Sequence, residues 1–132
     1  MSKADMDVQF HSGEDAFETK LFRQGESVRG TVTVYPQESF SCDHLYLRLI
    51  WHTEGRGTQY KETVHEVDLF QGEFMASMPQ TYDFQFNNPD GPWSYDGHYI
   101  SIIWEVETQL DVSWARDPKS SRPFLLQPAG RE

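Results

Sequence analysis

Ile100-Ser101-Ile102-Ile103-Trp104-Glu105-Val106-Glu107-Thr108-Gln109-Leu110-Asp111-Val112 is the stretch whose spacing decides the fold class. Ile100, Ile102, Trp104, Val106, Leu110 and Val112 fall on alternate positions, and Ser101, Glu105, Glu107 and Asp111 fall between them. A repeat of two sends these sets to opposite faces of an extended strand, one toward a core and one toward water. Ile103 is the exception, an apolar residue on the polar face.

Working outward, the same period recurs. Leu45, Leu47, Leu49 and Trp51 alternate with Tyr46, Arg48, Ile50 and His52, a long strand whose second face is also partly apolar, which predicts a central place in a sheet. Glu54-Gly55-Arg56-Gly57 supplies turn chemistry for a hairpin, and residues 58–69 return with many polar side chains, as an edge strand would. Gln71-Gly72 is a turn, residues 74–78 a short strand stopped by Pro79, and Tyr82, Phe84 and Phe86 mark the next strand. Residues 87–92, Asn-Asn-Pro-Asp-Gly-Pro, read as irregular loop. Val28, Val32 and Val34 form the core face of a strand ending at Pro36, with Gly30 leaving room for a neighbour to approach closely. Further strands are expected at 16–22, ending at the Gln24-Gly25 turn, and at 123–126.

No window carries a 3.6-residue apolar stripe. Seven or eight short strands separated by Gly and Pro turns predict an all-β, immunoglobulin-like antiparallel sandwich. A length of 132 residues suits a single domain. Its core is expected over about 15–127, with loose ends at 1–13 and 128–132.

The formal net charge is −10, which repels polyanions and excludes a nucleic-acid binder. Residues 62–115 carry ten carboxylates and no Lys or Arg, while the flanking segments nearly balance. Such a stretch is either a solvated acidic surface or a docking face for a partner with a basic contact surface. No run approaches the ~18 apolar residues of a membrane span, and the start lacks a signal-peptide core, so the expected location is cytoplasmic. The single Cys42 forms no internal disulfide and, following Phe40-Ser41 at a strand start, reads as a structural thiol.

Two segments resemble the arrestin-like superfamily, which includes arrestins, the arrestin-fold subunit of retromer and bacterial sporulation-control proteins. Residues 21–32, LFRQGESVRGTV, resemble the family's G-E-x-V-x-G-x-V opening, with Gly25 and Gly30 at the pattern glycines. The second segment is Tyr82-Asp83-Phe84-Gln85-Phe86, then Gly91-Pro92-Trp93-Ser94-Tyr95-Asp96-Gly97 and the strand from Ile100. It resembles the family's strand, P-x-S-[YF]-x-G loop and long strand. In this loop Pro92 stiffens the backbone, Ser94 can bond nearby backbone groups, Tyr95 can plug one end of the sandwich and Gly97 permits the turn.

The resemblance covers about residues 15–127, the N-terminal half of a family whose members carry two sandwiches. It implies a non-enzymatic adaptor or complex subunit, often at a membrane surface. The phosphate-sensing cations of receptor-binding arrestins have no counterpart in 62–115, so phosphoreceptor recognition is not implied.

Candidate chemistry is sparse, and no cofactor is expected. The histidines at 11, 44, 52, 65 and 98 form no CxxC, HxxxH or HExxH pattern, although His52 and His65 could face each other across the hairpin. Asn87, Asn88, Asp90 and Asp96 lack the order of a calcium loop. Glu62, Glu66, Asp68 and Glu73 suggest no paired catalytic carboxylates, and Ser94 lacks the G-x-S-x-G context of a nucleophile. The residues left for partner binding are Glu54 and Arg56 at the hairpin tip and Trp93 and Tyr95 in the Pro-rich loop. The function expected is protein binding through these loops and the 58–69 edge, either by a partner, peripheral to a membrane only through it, or by self-pairing. The alternatives are a carbohydrate-binding sandwich that uses exposed Trp and Tyr, and a metal-binding or enzymatic protein that uses the acidic segment.

Overall fold

The computed structural model describes residues 4–16, 18–57, 59–87, 91–97, 99–112 and 117–128. These form β1 (Ala4–Phe10), β2 (Glu14–Ala16), β3 (Thr19–Arg23), β4 (Ser27–Pro36), β5 (Phe40–Cys42), β6 (His44–Gly55), β7 (Lys61–Asp68), β8 (Gly72–Phe74), β9 (Gln80–Asn87), β10 (Tyr95–Asp96), β11 (Ile100–Asp111) and β12 (Lys119–Gln127). The described residues contain no helix, so none long and apolar enough to cross a membrane.

β4 lies between β1 and β9 in a three-stranded antiparallel sheet. The opposing sheet runs β2-β3-β12-β11-β6-β7, with β3 and β12 parallel and β10 sharing the β12 side of β11. The main core fills the space between the sheets. Val8, Val28, Val32, Phe84 and Phe86 from the smaller sheet meet Phe22, Leu47, Leu49, Trp104, Val106, Phe124 and Leu126 from the larger. Gly30 admits the Phe84 ring and the Gln9 carbonyl where a Cβ would overlap both. A second cluster, Ala4, Val34, Phe40, Cys42, Leu45, Phe74, Leu110 and Val112, closes one end beneath the β5–β8 pair. The alternation that defines an all-β sandwich is therefore what the core obeys.

Five expectations require correction. Residues 4–10 are no loose end: Ala4, Met6, Val8 and Phe10 turn inward at a spacing of two, and β1 pairs with β4 from Ala4↔Pro36 to Phe10↔Gly30. The Phe10 ring meets Phe22, Phe84 and Phe124 edge-on at 5.6, 6.4 and 5.7 Å. The 16–22 strand is instead a hairpin of β2 and β3, and the 123–126 strand begins four residues earlier, at Lys119. Residues 75–78 form a turn after β8, closed by Met78 N–H to the Met75 carbonyl at 3.1 Å with Ser77 in the left-handed region. The strand count rises to twelve among the described residues, because β2, β5, β8 and β10 have only two or three residues each.

Candidate functional site

The outer face of the large sheet divides into two halves. Over β6, β7 and β11, cross-strand register places cations against the acidic segment: Arg48 stands opposite both Glu66 and Glu107, and Tyr46 opposite Asp68 and Gln109. The Arg48 guanidinium donates to Glu66 at 2.6 Å, Glu107 at 3.2 Å and Gln109 at 2.7 Å, and lies 4.8 Å over the Tyr46 ring. Burial works against this charge, but the hydrogen bonds to Glu66 and Glu107 outweigh it and raise the guanidinium above its ordinary range. Gln109 continues to Asp117 at 2.8 Å, and Lys61 reaches Glu107 at 3.5 Å. His52 lies between Glu105 at 3.5 Å and Glu54 at 3.7 Å. His44 bonds Asp68 at 2.6 Å, which raises the imidazole and lowers the carboxyl from their ordinary values. Four carboxylates of the acidic segment, Glu66, Asp68, Glu105 and Glu107, are thus matched by cations and histidines from residues 44–61.

The other half is apolar. β12 pairs with β11 from Gln109 to Trp104 and then leaves it to run beside β3, while β10 takes the same side of β11 at Ser101 and Ile102. Between them opens a groove of about 370 Å³, walled by Tyr95, Ile103, Pro123, Leu125 and Thr19. Ile103, the apolar break in the polar face of its strand, lines this groove. Glu54, Ser101 and Asp96 stand side by side across β6, β11 and β10 at its end, and the Ser101 hydroxyl donates to Asp96 at 3.2 Å.

The loop before β10 is fastened to the core. The Pro92 carbonyl accepts from Trp104 Nε1 at 2.5 Å; Ser94 N–H donates to the Leu126 carbonyl, and Leu126 N–H to the Ser94 hydroxyl, both at 2.8 Å. Trp93 packs half-buried against the main core, whereas Tyr95 is 60% exposed, so Tyr95 does not plug the sandwich. The reason is register: β10 sets Tyr95 opposite Ile102, beyond the covered part of the sheet, with its ring over the backbone of Gly97. Gly97 N–H closes the turn onto the Ile100 carbonyl at 3.0 Å. Gly25 sits at a φ of 87° in the β3–β4 turn, where a side chain would be strained.

At the hairpin tip, Glu54 and Arg56 are exposed. Arg56 N–H donates to the Tyr99 carbonyl at 2.9 Å, and its guanidinium lies 5.4 Å over the Tyr99 ring, so the tip is braced against β11. With Trp93 packed on the core, the three rings of Trp93, Tyr95 and Tyr99 do not form one exposed platform. His52 does not face His65: a bulge puts Lys61 opposite His52 and Leu49 opposite His65, whose ring stacks on Phe86. Among the described residues no group of three or more His, Cys, Asp or Glu is placed to hold a metal. Asn88, Asp90 and His98 lie outside the described residues, as does Pro89. Cys42 is buried, and burial raises its thiol, which suits a structural role. Sequence reasoning missed Arg48, Ile103 and Leu125; the misplaced apolar Ile103 was the available signal.

Two packed sheets, a parallel β3–β12 pair and a loop bound back to β12 define the class, a β-sandwich. Among solved structures the chain is similar to Spo0M, a sporulation control protein from Bacillus subtilis, with a TM-score of 0.76 and 18% identity. The alignment covers 96% of this chain and 50% of Spo0M, so the chain spans half the length of that structure. The likeness shows the arrestin-like fold that the 21–32 and 82–106 patterns implied. No family model and no curated protein matches the chain.

Proposed function

We propose that this chain is a non-enzymatic, protein-binding adaptor or complex subunit that works in the cytoplasm, reaching a membrane only through its partner. The observation that carries the proposal is the apolar groove between β10 and β12 with the Glu54, Ser101 and Asp96 row at its end. A cleft of this size with aliphatic walls takes one or two apolar side chains, and the two carboxylates favour Lys or Arg beside them. Exposed Tyr95 borders the groove, and aromatic anchors of this kind concentrate binding energy. The arrestin-like fold supports an adaptor role. The partner segment is therefore an extended peptide that pairs an apolar residue with a basic one.

Selection of random peptides displayed on phage against the purified protein tests this reading. The expected result is enrichment of apolar residues next to Lys or Arg, with binding weakened at least ~10-fold by Leu125→Asp. Absence of enrichment, or binding that survives Leu125→Asp and Ile103→Asp, overturns it.

A further inference from the structure

β7 ends the large sheet, and no strand lies on its far side among the described residues. Which of its residues face outward follows from the ladder. Thr53 N–H bonds the Tyr60 carbonyl at 2.8 Å, and at the other end Leu69 N–H bonds the Leu45 carbonyl at 2.8 Å, so odd-numbered residues of β6 point their backbone groups toward β7. Bonded and non-bonded pairs alternate along an antiparallel ladder. The residues opposite Tyr46, Arg48, Ile50 and His52 therefore turn their amides and carbonyls away from β6: Asp68, Glu66, Thr63 and Lys61. The bulge between Leu49 and Ile50, which skips Val64, keeps these four in step although Thr63 and Glu66 are three residues apart. Their side chains share the outer face with Arg48 and His44.

This outward row reads Lys, Thr, Glu, Asp, and it is complementary to its own reverse. We propose that β7 is completed by β7 of a second copy of this chain, antiparallel about a two-fold axis, with Lys61 opposite Asp68 and Thr63 opposite Glu66 of the other copy. This register engages all four outward residues and sets a cation against an anion at both ends of the shared ladder. Sliding one ladder step toward Asp68 brings Glu66 against its own symmetry mate, which is repulsive; sliding the other way leaves Asp68 without a partner strand. Lys61 is able to change partners, because its side chain is 56% exposed and its contact with Glu107 is 3.5 Å long. Two-fold pairing of one edge with itself also closes the assembly and leaves no exposed β7 edge. The inference does not rest on the groove reading, which lies on the β10–β12 side of β11.

Sedimentation velocity from about 10 µM to about 1 mM tests the pairing. Wild-type chain is expected to form a dimer that Thr63→Pro weakens at least ~10-fold, because Pro removes an outward N–H that β6 does not use. Lys61→Glu and Asp68→Lys are each expected to be monomeric alone, since each sets like charges together, and to dimerise when mixed, since both end pairs become opposite in charge. Circular dichroism checks that each variant is folded. A wild-type monomer at ~1 mM overturns the inference. So does a dimer indifferent to Thr63→Pro, or a mixture of folded charge variants that stays monomeric. Loss of peptide binding in Leu125→Asp with the dimer intact separates this claim from the groove's.

Discussion

The two halves of the large sheet's outer face share β11 yet end in opposite states. Over β6, β7 and β11 the face is occupied: Arg48 is held by Glu66, Glu107 and Gln109, and His44 by Asp68. Between β10 and β12 the face is open and apolar, walled by Ile103, Pro123 and Leu125. The difference teaches that charge counted along a chain is not charge presented to a partner. The carboxylates of β7 and β11 are largely satisfied internally, and those at the groove end, Glu54 and Asp96, stand where a basic residue would complement them.

The sharpest way to break this comparison is to remove what both halves rest on. Trp104 is fully buried, packs against Phe124 and ties the Pro92 loop to β11. Trp104→Ala is expected to cost about 3–5 kcal/mol by urea denaturation and to abolish groove binding with it. A smaller effect separates the halves. Arg48→Ala leaves Glu107, only 13% exposed, with Lys61 alone as its cation, and is expected to cost about 2 kcal/mol while leaving peptide binding unchanged. Leu125→Asp should show the converse, a stability change within about 1 kcal/mol and loss of binding.

The smallest effect concerns His44 and Asp68. Their hydrogen bond raises the His44 value, so its contribution is complete below the ordinary 6.5 and lost as pH rises through the raised value. The same bond lowers Asp68, whose contribution is complete above the ordinary 3.8 and lost as pH falls through the lowered value. The pair therefore stabilises most between about pH 4 and pH 6.5. Asp68→Asn should lower the melting temperature more at about pH 5.5 than at about pH 8.5, and equal losses would remove the pair from the account.

The sandwich was legible because its strands alternate strictly: Val28 to Val34, Leu45 to Trp51 and Ile100 to Val112 declare an inner face without help from any neighbour. β1 carries the same alternation in Ala4, Met6, Val8 and Phe10, but with only seven residues and Asp5 and Asp7 between them it shows its inner face only once paired with β4. The site was less legible. Which cation meets which carboxylate depends on register between β6, β7 and β11, and that register sets His65 opposite Leu49, three residues from His52, while the bulge at Val64 brings Lys61 opposite His52. Tyr95, expected to plug the sandwich, is exposed, and Trp93 packs on the core instead, because the loop before β10 is fastened to Trp104 and Leu126. Ile103 alone carried the groove's signature in the sequence, as an apolar residue where alternation calls for a polar one.

Quantitative affinity capture from gently solubilised cells with membranes included tests most directly whether a protein partner docks on the apolar groove rather than on the ion-paired face over β6, β7 and β11. Leu125→Asp and Arg48→Gln, both confirmed folded, are compared with the wild-type chain. The account predicts that a discrete protein captured by the wild type is retained by Arg48→Gln and lost by Leu125→Asp. The same capture by both variants, or loss in Arg48→Gln alone, would contradict it.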